Sequence, residues 1–170
     1  MIDRIIDMIA KVLATLAAGA LLLMMFHVTL DVAGKYLLNA PIPGTAEVVA
    51  SYYMVAAVFL PLAWVEINNG SIVVELLYEQ FGRRARTGAQ LLGTALSACF
   101  YGGLAWLSWA PAIQSWRIGE MVEGTWRVVI WPTKFLLPLG LAMACLVMVL
   151  RLVQILTGRY RAEMAPVEQV

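Results

Sequence analysis

Four separate apolar runs of about 20 residues constrain this chain more than any other feature, because about 20 residues carry a helix across a hydrocarbon core roughly 30 Å thick. Val12–Leu30 is the first, softened only by Thr15, Gly19, His27 and Thr29. Ala46–Val65 is the second, with Glu47 near its start and Glu66 just past its end. Ala89–Ala110 is the third. The fourth is centred on Phe135–Leu150 and extends from near Trp131 to about Leu156. Inside lipid each backbone N–H and C=O must be satisfied within its own segment, so such runs are helices. The alternation of a membrane barrel is absent.

The expected fold is therefore an all-α membrane protein, a single four-helix domain over 1–170 with spans near 12–30, 46–65, 89–110 and 131–156. Composition agrees, at 62% hydrophobic and 14% charged residues. A soluble domain has about 25% charged residues. A formal net charge of +1 excludes a strongly basic nucleic-acid binder. The first run is longer than the apolar region of a signal peptide and no small-residue cleavage site follows it, so it reads as a retained helix.

Lysine and arginine placement sets the expected orientation. With the N-terminus inside, Arg4, Lys11, Arg83, Arg84, Arg86, Arg151, Arg159 and Arg161 are cytoplasmic, against Lys35, Arg117, Arg127 and Lys134 outside. Both termini are thus expected in the cytoplasm. Trp106, Trp109, Trp116, Trp126 and Trp131 gather where the third and fourth helices meet the outer interface, the depth an amphipathic ring prefers.

Between the second and third spans, residues 71–86 are too polar to cross. Ile72, Val73, Leu76, Leu77 and Phe81 share one face and Glu75, Glu79 and Arg86 the other, which predicts an amphipathic helix on the membrane surface with Arg83, Arg84 and Arg86 near lipid headgroups. Asn69-Gly70 is a turn signal before it, with Ser71 as its cap. In the first outer loop, Pro41 and Pro43 fix φ and Gly44 permits a tight turn. Thr45 is expected to cap the second helix, with Glu47 against its positive end. Residues 158–170 read as a short disordered tail.

Ionisable groups in a membrane are functional candidates by default. His27, Asp31 and Glu47 could form a proton or cation site, but all three lie near the outer interface, and the reading adopted is a hydrogen-bond and ion-pair cluster locking the first outer corner. Asp31 and Lys35 have the favourable i, i+4 order for an ion pair. Glu47 and Glu66 flank one helix and sit on opposite sides of the membrane. No acid is expected at mid-depth, which disfavours the main alternative, a stand-alone four-helix proton-coupled exporter. One histidine disfavours a haem anchor. Cys99 and Cys145 read as small buried hydrophobes. No catalytic set, cofactor site or metal site can be assembled, so the chain is not expected to be an enzyme. Ala89, Gly93 and Ser97, with Ala98 and Gly102 on another face, are candidates for close helix packing. Pro61 and Pro138 are each expected to kink or locally loosen a helix by removing one backbone bond.

Asp31-Val32-Ala33-Gly34-Lys35-Tyr36, then Pro41-Ile42-Pro43-Gly44-Thr45-Ala46-Glu47, an apolar helix, Asn69-Gly70-Ser71-Ile72, and Trp131-Pro132 ahead of Leu137-Pro138-Leu139-Gly140 form a recognisable pattern. In it the chain resembles the DctQ-like small membrane subunit of tripartite ATP-independent periplasmic (TRAP) transporters. Ser71 stands where that family often has histidine. The resemblance implies a non-catalytic subunit of a bacterial inner-membrane, sodium-coupled transporter for small organic anions. It further implies two partners, a large multi-span membrane subunit whose scaffold this chain braces and a periplasmic substrate-binding protein. Outer-loop residues expected at partner interfaces are Asp31, Lys35, Asn39, Pro43, Gly44 and Glu47 on the first loop, with Arg117, Glu120, Glu123 and Arg127 on the second.

Overall fold

The computed structural model describes residues 2–68, 83–124 and 126–157. Four helices are long and apolar enough to cross a membrane. Helix α1 is Ile2–Leu38, α2 is Thr45–Ile67, α3 is Arg83–Ile118 and α4 is Leu136–Leu156, entered through a 3-10 turn at Thr133–Phe135. The expected surface helix at 71–86 falls mostly outside the described residues, as does the tail from 158. Arg83, Arg84 and Arg86 belong to the first turn of α3.

Helices α1 and α3 run well beyond the apolar runs that announced them, because polar ends continue a helix freely once outside the hydrocarbon. Helix α3 passes through Pro111, not ending at Ala110, and continues to Ile118. Lipid-facing hydroxyls satisfy themselves on their own helix: Thr15 donates to the Lys11 carbonyl at 2.8 Å, Thr29 to that of Met25 at 2.7 Å and Ser108 to that of Leu104 at 2.6 Å.

Packing is organised around α4. A third of its most apolar window (33%) is buried, against 6% for α3. Helix α3 lies chiefly on α4, α4 on α2, and α2 on α1, so neighbours run α1–α2–α4–α3. Near the chain's first residues Ile6 and Ala10 of α1, Ala63 of α2 and Val147 of α4 form a small core flanked by Ile67, Met143 and Leu150. Lipid offers no hydrophobic drive between helices, so close backbone approach must hold them. One such approach is at Gly140, where a Cβ would stand 2.1 Å from the Phe59 carbonyl oxygen.

That approach sits beside a break in α2. Leu60 and Pro61 form a turn between the helical stretches Met54–Phe59 and Leu62–Ile67, as expected for a proline with no N–H to donate. The expected kink at Pro138 is not seen as a break. Pro138 is fully buried in the first turn of α4, where a missing N–H leaves no intrahelical bond unmade. A second irregularity is a π-helical turn at Val49–Tyr53.

The fold is not purely helical. Gly119, with φ +61°, ends α3, and strands β1 (Met121–Val122) and β2 (Val128–Val129) pair antiparallel, with Met121 opposite Val129 and Val122 opposite Val128. The Ile130 N–H then donates to the Glu120 carbonyl at 3.0 Å. Pairing of this kind satisfies backbone groups where the chain turns back at the end of the helices.

Gly140→Leu is expected to force α2 and α4 apart and cost about 3 kcal/mol, the upper range for overpacking. Thermal unfolding in detergent, with Gly19→Leu at an open position as the control, checks this.

Candidate functional site

The candidate site is the end of the molecule that carries the hairpin, where the two loops expected to be separate docking elements meet. Helix α1 finishes with Asn39 in the left-handed region at φ 55°, and the Ala40 N–H donates back to the Gly34 carbonyl at 3.1 Å. The chain then turns through Pro41–Gly44. Asp31 accepts a hydrogen bond from the Ile42 N–H at 2.6 Å. Its carboxylate therefore ties loop to helix, and the expected ion pair with Lys35 is not among those formed. A loop N–H near the bilayer surface is the more rewarding partner for Asp31, since a fully solvated lysine adds little.

The start of α2 also differs from expectation. Gly44, at φ +86°, is the residue before the helix, its carbonyl accepting from the Val48 N–H at 3.0 Å. Thr45 is already helical, and its hydroxyl donates back to the Ile42 carbonyl at 3.0 Å and does not cap the helix. Gly44 is doubly constrained, because a Cβ there would also lie 3.0 Å from Cβ of Trp126. The hairpin loop thus rests on the Pro41–Thr45 corner. Glu47 lies against Gly124 in the same way, its carboxylate occupying the space a side chain at 124 would need.

Tyrosines complete the join. Tyr52 donates a short hydrogen bond to the Val129 carbonyl, linking α2 to β2. Its neighbour Tyr53 faces α1, its hydroxyl 3.4 Å from Nδ1 of His27 with the rings edge to face. Both tyrosines stand in the π-turn, a device that re-aims side chains and recurs at functional positions. His27 and Asp31 thus hold different partners, Tyr53 and the Ile42 N–H, while Glu47 lies against Gly124. Among the described residues no group of three acids, histidines or cysteines is placed to hold a metal.

On the hairpin, Lys134 donates to Glu120 at 2.5 Å, and Glu123 and Arg127 make a looser pair at 3.7 Å. The Lys134 ammonium holds the Glu120 carboxyl below the usual glutamate range. Lys35, Asn39, Pro43, Arg117, Glu123 and Arg127 are exposed, Glu120 and Glu47 half-buried, and Gly44 buried under Trp126. Of the small residues on α3, Gly102 lies against Cys145 of α4, where a Cβ would stand 3.1 Å from the thiol sulfur, whereas Gly93 opens onto empty space; Ala89 and Ser97 are half-buried.

At the other end the structure holds a cluster that the sequence did not announce. Glu66 lies within the last turn of α2, not past its end, and is only 6% exposed. Tyr101 of α3 donates to its Oε1 at 2.7 Å, and Arg151 of α4 donates to its main-chain carbonyl at 2.5 Å. Residues so far apart in the chain give no local signal.

The depressed Glu120 pKa has a consequence. Its ion pair contributes above the unfolded carboxylate value of about 4.3 and is lost as pH falls through the lower folded value. The carboxyl carbon of Glu120, followed by NMR, is expected to titrate below that value and to return toward it in Lys134→Met.

No curated protein matches the chain. A family match does cover residues 24–158, described as tripartite ATP-independent periplasmic transporters, DctQ component. The matched region holds both joined loops, the hairpin and three complete helices, and the family is a transporter component, not an enzyme. By that match the chain belongs to the DctQ family, the small multi-pass membrane component of TRAP transporters.

Proposed function

We propose that the chain braces the scaffold part of the large membrane subunit of a sodium-coupled TRAP transporter for small organic anions. In this reading it lies in the bacterial inner membrane with both termini in the cytoplasm and the hairpin end in the periplasm. Membership of the family carries the reading. The excess of basic residues in the segments expected inside, eight against four in the sequence, supports the orientation, although Arg151 donates to the Glu66 carbonyl and the balance becomes seven against four once it is set aside.

Bracing needs exposed apolar helix faces and a rigid frame. Leu92, Leu96, Phe100 and Leu107 on α3 and Leu22, Met25 and Phe26 on α1 supply exposed faces suited to lipid or to a membrane partner. The joined loops supply a second surface. Lys35, Asn39, Pro43, Arg117, Glu123 and Arg127 are exposed on the two loops that meet at Gly44 and Trp126, and a soluble binding protein docking there meets a preformed surface with little ordering cost. Among the described residues, Asp31 and Glu66 fasten a loop and a helix, which favours bracing over the stand-alone exporter.

Affinity purification of the chain in mild detergent is expected to bring down a much larger multi-span membrane protein, and substrate uptake in reconstituted vesicles is expected to require both. Uptake by this chain alone would reject the proposal. Tyr52→Phe, which unties β2 from α2, is expected to leave co-purification intact. It should weaken binding-protein-dependent uptake several-fold, in line with the loss of about 1 kcal/mol from one hydrogen bond.

A further inference from the structure

An ionisable group inside a membrane helix reads by default as part of a transport path. Glu66 is the acid in this chain that most invites that reading, being almost wholly buried in the last turn of α2. Its surroundings point elsewhere. The carboxylate accepts from the Tyr101 hydroxyl at 2.7 Å, and the residue's own carbonyl accepts from Arg151 at 2.5 Å. One residue thereby joins α2, α3 and α4.

Two physical features make this join informative. The C-terminal end of a helix carries partial negative charge, so a carboxylate there is unfavourable unless a cation is near. Arg151 brings that cation and donates to the Glu66 carbonyl in the last turn. Helix α3, in turn, is an edge element that lies chiefly on α4. Between α3 and α2, Tyr101 reaches past α4 to Glu66. Apolar side chains could pack α3 on α4 in several rotations, because lipid solvates every face equally well; a directional hydrogen bond selects one.

We propose that Glu66, Tyr101 and Arg151 form a polar clasp that fixes the rotation of α3 against α4 and α2, and that Glu66 serves this order rather than the passage of a solute or proton. Buried ionic groups used this way specify an arrangement more than they stabilise it. The inference does not rest on the bracing role, since it concerns the order of helices within one chain.

The chain carries its own reporter. Cys145 of α4 lies under α3, its thiol 3.5 Å from the Ala98 carbonyl and 3.1 Å from where a Cβ on Gly102 would stand. In a Cys99→Ser background Cys145 is the sole remaining thiol. Its reaction with a lipid-soluble maleimide then measures how often α3 leaves α4. The full-length chain, with any subunit that co-purifies, is labelled in mild detergent.

Tyr101→Phe is expected to raise the labelling rate about tenfold, as loss of one buried hydrogen bond implies. Glu66→Leu should do the same, and the two together should do no more than either. Glu66→Gln keeps an acceptor oxygen and should stay within about twofold of the parent. Tyr53→Phe, at the α1–α2 interface, should leave the rate unchanged. A Tyr101→Phe rate equal to that of Tyr53→Phe would overturn the proposal, as would additive effects of Tyr101→Phe and Glu66→Leu. Should Glu66→Leu fail to fold, the contrast between Tyr101→Phe and Glu66→Gln decides alone: equal rates overturn the clasp.

Discussion

Everything in this molecule is arranged about the near-contact of two backbones, Gly140 of α4 and the Phe59 carbonyl of α2. In a lipid solvent, apolar side chains gain nothing by leaving the solvent for one another, so helices adhere where small residues let main chains approach. Glycine makes that possible at 140, and the proline-induced turn at Leu60–Pro61 lies directly beside it. Ala63 and Ala144, both fully buried, continue the close packing toward the chain's first residues. With α2 and α4 so joined, α1 and α3 attach on either side.

Polar interactions then set what packing alone leaves free. At one end Tyr52, Asp31 and Lys134 tie loops to helices; at the other Glu66 gathers three helices. In water such bonds yield little, because each competes with hydration. Where water is scarce an unmade bond is costly, and a few well-placed groups carry information about register and rotation. The two irregular stretches of α2 serve the same end. The π-turn lets adjacent tyrosines serve different neighbours, and the Pro61 turn brings a carbonyl to Gly140.

Much of this was legible in the residue order. The four spans follow from run length alone, and Gly44 announced its turn. The family pattern around Asp31–Glu47 was readable because those residues meet strict local demands, such as the Asp31 bond to the Ile42 N–H. What escaped reading depended on distant partners. Strands of two residues have no periodicity of their own, and they form because the chain leaving Gly119 must return to Trp131. Thr45 looked like a cap, but the left-handed Gly44 already held that place. Pro138 looked like a kink, yet it falls in a first turn, where proline is harmless. Gly93 and Gly102 have identical local credentials, and only the position of α4 distinguishes them. Glu66 follows the apolar run yet lies inside the helix, since a sequence shows where an apolar run stops and not where hydrogen bonding does.

The succession α1–α2–α4–α3 has a topological consequence. The outermost two, α1 and α3, share no substantial interface among the described residues, so the row does not close on itself. On the proposed reading, a solute crossing beside such a palisade meets its second wall in another polypeptide.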